Sequence, residues 1–275
     1  MSSKCHLKFL FTIYVLWMQN SNQKSTPRQG CAYTNANSVI GKMTELRHRA
    51  DAYDLIGIVE SWGTDAVYDS ELAIQGFKML RIDRRESKGG GLLLYIREDL
   101  EAVECNDTMG NQFKESLWCT IRTASKSKLL VGLIYWSPAS DELNNEALLN
   151  LLQQATQRND VEHVMIMGDM NYPDIDFLNN MVNAGEHAAS SKLFEKTQDL
   201  FLHQHVTNVT RIRSDQTPSI LYYVFTDDRN LIDEIDYLAP LGKSDHLFLS
   251  WFVTLKMNIV NSIQEKLNFW KGDYS

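Results

Sequence analysis

Apolar positions in this chain gather into short runs rich in β-branched residues and leucine, and several of the runs stop at a polar side chain. CAYTNA, DLIGIVES, FKMLRIDR, GLLLYIRE, LWCTIRT, KLLVGLIYW, HVMIMGD, ILYYVFT, EIDYLAP and HLFLSWFVTL all read as strands, most of them too uniformly apolar to have a solvent face. Helical spacing is confined to a few places. Leu143, Ala147, Leu148, Leu151 and Leu152 predict a helix over 142–157, and another is expected from Ala188 to Leu202. Ser38 is expected to cap a third helix that runs to about Ala50 with Met43 and Leu46 on one face. The triplet Gly89-Gly90-Gly91 leads into a strand and reads as a tight turn; a phosphate-cradling loop would lead into a helix. Strand pairs interleaved with few helices, without a regular β-α-β-α rhythm, predict an α/β fold with two packed sheets and helices outside them.

The polar ends of the runs carry the candidate chemistry. They are Asn35, Glu60, Tyr135, Asp169 with Asn171, and Asp245 with His246. Asp169 and Asn171 are two apart, so an extended segment would point them to the same side. Hydrolysis of a phosphodiester needs a cation to offset developing charge, a base for water and donors to the non-bridging oxygens, and this set contains all three kinds of group. Each residue alone has an ordinary reading: a strand-end acid pairing with a base, an Asx turn, a packed tyrosine, a structural histidine.

Composition bounds this picture. The 275 residues are 44% hydrophobic and 23% charged, which suits one large globular domain. The net charge of −8 argues against tight non-specific DNA binding unless a local basic strip exists. RIRS (Arg211, Arg213) and RIDRRESK (Arg81, Arg84, Arg85, Lys88) are the candidates. Cys5, Cys31, Cys105 and Cys119 are far apart and read as reduced, mostly buried thiols of an intracellular protein, nuclear or cytoplasmic. Lys4 and Lys8 precede the apolar stretch Phe9–Met18, which has the length of a signal-peptide core but no small-x-small cleavage site after it. Residues 1–29 are therefore expected to be a leader, disordered or signal-like. Sequons at Asn106 and Asn208 would matter only on secretion. His203 and His205 suggest zinc, but two histidines lack the further ligands it needs.

In order and spacing, YTNANSVIGKMTELR, IGIVESW, the DR…GGGLLLYIR run, LIYWSP, GDMNYPDID, DLFLHQHV and LAPLGKSDH resemble the endonuclease/exonuclease/phosphatase superfamily, and most of all the apurinic-type endonuclease domain of jockey-like non-LTR retrotransposons. The stretches span about Cys31 to Trp251. The resemblance implies a DNase I-like four-layer α/β sandwich, two mixed sheets flanked by helices, occupying residues 30–255. It implies Mg²⁺ (or Mn²⁺) held by Glu60 and Asn35 with help from Asp245. Asp169 would be the base, Asn171 and Tyr135 would contact the phosphate, and His246 would stabilise it. DNA is the implied partner, with no obligate protein partner, and a monomer is expected. Residues 256–275, containing KLNFWKGDY, resemble the linker to a reverse transcriptase, whose Y-x-D-D-like motif is absent from this chain.

Two positions depart from the family. Where it has L-D-L-V-F-T this chain has Leu221-Tyr222-Tyr223-Val224-Phe225-Thr226, so the acid that orients the S-D-H histidine is replaced by Tyr222. Trp136 stands where a basic residue is common. Both changes imply weakened catalysis, and they leave open an inactive retroelement remnant, or a phosphatase or lipid phosphodiesterase on the same fold.

Overall fold

Two six-stranded sheets pack face to face in the computed structural model, which describes residues 29–85, 89–105, 113–213 and 217–260. The elements in chain order are β1 (Gln29–Asn35), α1 (Met43–Ala50), β2 (Leu55–Val59), α2 (Asp69–Leu72), β3 (Phe77–Ile82), β4 (Leu92–Arg97), β5 (Ala102–Glu104), β6 (Ser116–Arg122), β7 (Lys128–Tyr135), α3 (Glu142–Thr156), β8 (His163–Asp169), β9 (Ile175–Asp176), β10 (Met181–Val182), α4 (Ala189–Asp199), β11 (His203–Gln204), β12 (Tyr222–Thr226), β13 (Asp236–Leu238) and β14 (Phe248–Val253). One sheet has the order β13-β14-β1-β2-β4-β3 and the other β11-β12-β8-β7-β6-β5, each mixing parallel and antiparallel neighbours; β9 and β10 form a small hairpin of their own.

Strand alternation sorts side chains into layers. On β8, Met165 and Met167 face the other sheet while Val164 and Ile166 face outward. On β1, Cys31 and Tyr33 face inward and Ala32 outward. The inward rows of both sheets form one core; the outward row of the β8 sheet packs on Leu148, Leu151 and Leu152 of α3, and that of the β1 sheet on Met43 and Leu46 of α1. Helix, sheet, sheet and helix are the four layers expected from the sequence.

Several local expectations shift. Ser38 does not cap the first helix: it sits at φ 72°, and α1 starts at Met43 after Lys42, which makes no side-chain cap. Asp141 does cap α3, accepting from the Asn144 N–H at 2.8 Å. Leu143, counted in the helical spacing, is 80% exposed: it falls in the first turn, off the inward stripe. Strand pairing begins at Gln29 and reaches past residue 255, where Met257 bridges Thr123 and Ile259 bridges Leu100. Among the described residues no helix is long and apolar enough to cross a membrane. The leader (residues 1–28), Cys5, Lys88, Asn106 and residues 261–275 lie outside the described residues.

Candidate active site

The site is the polar cap on the core between the sheets. Asn35 continues the inward row of Cys31 and Tyr33, Tyr135 that of Val131 and Leu133, Asp169 that of Met165 and Met167, and Tyr222 precedes Val224 on the same face. Tyr135, Asp169 and Tyr222 form one rung across β7, β8 and β12. Asn35 reaches the rung from the opposite sheet, its Nδ2 donating to Asp169 Oδ2 at 2.9 Å. Asn35 pairs in register with Val59, so Glu60 follows at the same end.

Glu60 is held by an unusual loop. Glu60 and Trp62 both have left-handed backbones, φ 54° and 56°, which cost bulky residues of order 1 kcal/mol or more each. The loop is pinned by Ser61 and Trp62 N–H groups donating to the carbonyls of Gly91 and Gly90 at 3.2 and 3.0 Å. The Glu60 carboxylate accepts from the Tyr135 hydroxyl, from Trp62 Nε1 at 2.6 Å and from the Gly90 N–H at 3.3 Å. All three glycines have positive φ, and a Cβ on Gly90 would lie 2.4 Å from Arg84 Nε. The triplet is thus a tight turn, as expected, and also part of the seat of Glu60. Trp62 and Gly90 are site residues that sequence reasoning passed over; the repeated Gly and the tryptophan two residues after the acid were the only signals.

Asp169 is fully buried, and its Oδ1 has no hydrogen-bond partner. Burial pushes its carboxyl up to about 7, the Glu60 charge adds to this, and the hydrogen bonds from Asn35 and the Asn171 N–H oppose it. Asn171 does not share a face with Asp169 on an extended strand. The chain turns at Asn171, φ 51°, and its Nδ2 donates to the Trp136 carbonyl at 2.9 Å. His246 is buried with Nδ1 unpartnered, 3.9 Å from Asp169 Oδ2, while Nε2 lies 3.9 Å from Asp245 Oδ1; neither distance is a hydrogen bond. Burial pulls the imidazole down to about 4, against the pull of the Asp245 and Glu60 charges. Tyr222 explains the missing partner. Its ring stacks on His246 at 5.4 Å and 12°, and its hydroxyl accepts the Asn35 N–H at 2.6 Å.

Asp245, expected to assist the metal, has one oxygen engaged by arginines. Its Oδ2 takes Arg211 Nε at 3.0 Å and lies 3.4 Å from Arg213 Nε. Burial works against its charge, but the Arg211 hydrogen bond and the neighbouring positive charges outweigh that and hold the carboxyl below its usual range. Among the described residues no group of three or more His, Cys, Asp or Glu could hold a metal ion. The candidate donor oxygens are those of Glu60 and Asn35 Oδ1, the latter also accepting the Asn37 N–H at 2.9 Å, a hard donor pair that fits Mg²⁺ and not a soft ion.

Residues 129–250 match the family model described as "Endonuclease-reverse transcriptase". By structure the chain is similar to the endonuclease domain of TRAS1, a telomere-specific non-LTR retrotransposon (14% identity, TM-score 0.62, 84% of this chain and 100% of that one). It is also similar to the AP endonuclease LMAP from Leishmania major (13%, TM-score 0.65, 85% and 90%) and to the 3′ phosphatase NExo from Neisseria (12%, TM-score 0.62, 82% and 99%). No curated protein sequence matches. The family match covers less than half of the chain; with these solved structures the chain shares the fold. Its fold is the DNase I-like sandwich.

Arginines near the site have acidic partners. Arg81 is tied to Asp83 and Asp69, Arg84 to Glu115, Arg85 lies 3.8 Å from Asp65, and Arg211 and Arg213 are on Asp245. The described arginines of the two basic strips read from sequence thus have acidic partners. Trp136 is buried, donates to Asn145 Oδ1 at 2.8 Å and stacks on Tyr172, so it packs where a basic residue was looked for. His205 Nε2 is bonded to Thr226 Oγ1 at 2.6 Å, and His203 is exposed; no zinc site forms around them among the described residues. Cys31, Cys105 and Cys119 form no disulfide among the described residues.

Proposed function

We propose that this chain is a divalent-metal-dependent phosphodiesterase acting on DNA, an endonuclease domain of the retrotransposon kind, with catalysis weakened at Tyr222. The observation that carries the reading is Asp169: a buried carboxyl raised toward neutral pH, one oxygen fixed by Asn35 and the other buried without a partner. A structural acid would be expected to have both oxygens satisfied.

A cation held by Glu60 and Asn35, Mg²⁺ or Mn²⁺, would supply charge neutralisation for the phosphate. The chain's own residues do the rest. Asp169 Oδ1 takes the proton of the attacking water. Asn171 keeps one amide hydrogen beyond the one given to Trp136 and offers it to a non-bridging oxygen. Tyr135 and Trp62 hold the Glu60 carboxylate in place. His246, neutral at pH 7, contributes a ring N–H but no positive charge. The same stacking of Tyr222 on His246 favours the second reading, a folded remnant without useful turnover.

The test is metal-linked stability. Glu60 and Asp169 repel, so millimolar Mg²⁺ or Mn²⁺ should raise Tm relative to chelator, and Glu60→Gln should abolish the difference. Equal melts with and without metal would contradict the reading.

A further inference from the structure

A groove of about 1330 Å³ opens directly beside the site, sharing Asn171 and Arg211 with it. Its walls are the β9–β10 hairpin and the segment following α4. Leu178 and Phe201 stand on these walls 74% and 80% exposed, and Asn180 and Asn183 also line it. Phe201 is held in a costly way. It sits at φ 53°, in the left-handed position that follows the α4 C-cap Leu200, with its N–H on the Gln198 carbonyl and the Leu202 N–H on that of Thr197. Helices commonly end on glycine there, since a bulky residue is strained. Nothing in the packing explains a solvent-exposed phenylalanine at this point.

The charge along the groove is sparse. Arg211 and Arg229 are the cations of its lining; Arg211 is neutralised by Asp245, while Arg229 makes no ion pair among the described residues. Asp176, the acid of the lining, is bonded to Asn179. A duplex is gripped mainly by phosphate neutralisation, which a chain of net charge −8 with its arginines ion-paired near the site supplies poorly. An exposed ring, an exposed leucine and free amides suit the other mode, in which unstacked bases lie on aromatic side chains.

We propose that this groove binds single-stranded DNA running into the active site, with Phe201 as a stacking platform for a base. The proposal rests on the nuclease reading above and names the strand state of its substrate. Binding can be measured apart from cleavage. With chelator present and at about 150 mM salt, fluorescence anisotropy compares a labelled 20-nucleotide single strand with the same sequence as a duplex, on the full chain. The single strand should bind at least about 10-fold tighter. Phe201→Gly should weaken it by about 10-fold or more, the usual effect of removing a stacked ring. The same variant should melt no lower than the parent, because glycine suits φ 53°. Phe201→Trp should bind as tightly as the parent or tighter. Equal affinity for duplex and single strand, unchanged affinity in Phe201→Gly, or equal losses in the Gly and Trp variants would overturn the proposal. Release of p-nitrophenol from bis(p-nitrophenyl) phosphate by the unmodified chain with Mn²⁺ reports on the nuclease reading separately.

Discussion

Replacing Tyr222 by aspartate puts an acid back beside His246, and the structure sets both the gain and the cost. With its imidazole near 4, His246 is charged in about one molecule in a thousand at pH 7; at the ordinary value of 6.5 the fraction is about one in four. If the charged ring stabilises the phosphate, restoring it raises the single-turnover cleavage rate by up to about 10² at pH 7, and by only about 10-fold at pH 5, where more of the parent is already charged. The cost is the loss of a fully buried ring that stacks on His246 and meets Tyr33 edge-on at 4.7 Å. Loss of a buried aromatic costs about 3–5 kcal/mol, which lowers Tm by roughly 6–20 °C in a domain of this size. Typical domain stabilities of about 5–15 kcal/mol survive such a loss. The assay is a melt first, then an NMR titration of His246, then single-turnover cleavage at pH 5 and pH 7. A folded Tyr222→Asp protein whose His246 has moved up but whose rate is unchanged at both pH values would refute the reasoning.

Tyr222→Phe keeps the ring and strands the buried Asn35 N–H, so thermal melts should show a loss of about 1–3 kcal/mol; an unchanged melt would mean the hydroxyl is not a needed acceptor. Asp169→Asn should stabilise the fold while abolishing cleavage. The folded-state carboxyl is raised from 3.8 to about 7, so its contribution is fully favourable below about pH 4 and is lost as pH rises through 7; the variant should out-melt the parent at pH 8, by at most about 4 kcal/mol, and lose that advantage at pH 4. Gly90→Ala places a methyl 2.4 Å from Arg84 Nε at φ 67° and should both lower Tm and weaken metal binding, read by melts with and without Mn²⁺; a normal metal shift would separate the turn from the Glu60 seat.

The strands were legible because each is a nearly unbroken apolar run, and their polar ends follow from the same alternation that builds the core. Asn35, Tyr135 and Asp169 simply occupy the next inward position once the apolar row stops. What was not legible depends on left-handed backbones and on partners distant in sequence. Asn171 was placed on an extended strand, yet its φ of 51° turns it toward Trp136. Ser38 looked like a cap because it precedes helical spacing, but it lies in a turn that donates its N–H to the Glu60 carbonyl. Arg84 and Arg211 read as parts of free basic strips because Glu115 and Asp245 meet them only in the folded chain. Tyr222 was visible in sequence as a departure; that its ring would stack flat on His246 was not.

Cleavage of supercoiled plasmid by the full chain puts the nuclease reading to its plainest test. With Mg²⁺ or Mn²⁺ the parent should convert supercoiled to open-circular DNA slowly, Tyr222→Asp faster, and Asp169→Asn not at all, with chelator stopping every reaction. Nicking that persists in Asp169→Asn or in chelator, or a folded parent and Tyr222→Asp protein that both leave the plasmid intact, would contradict the assignment of this cleft as a metal-dependent phosphodiesterase site.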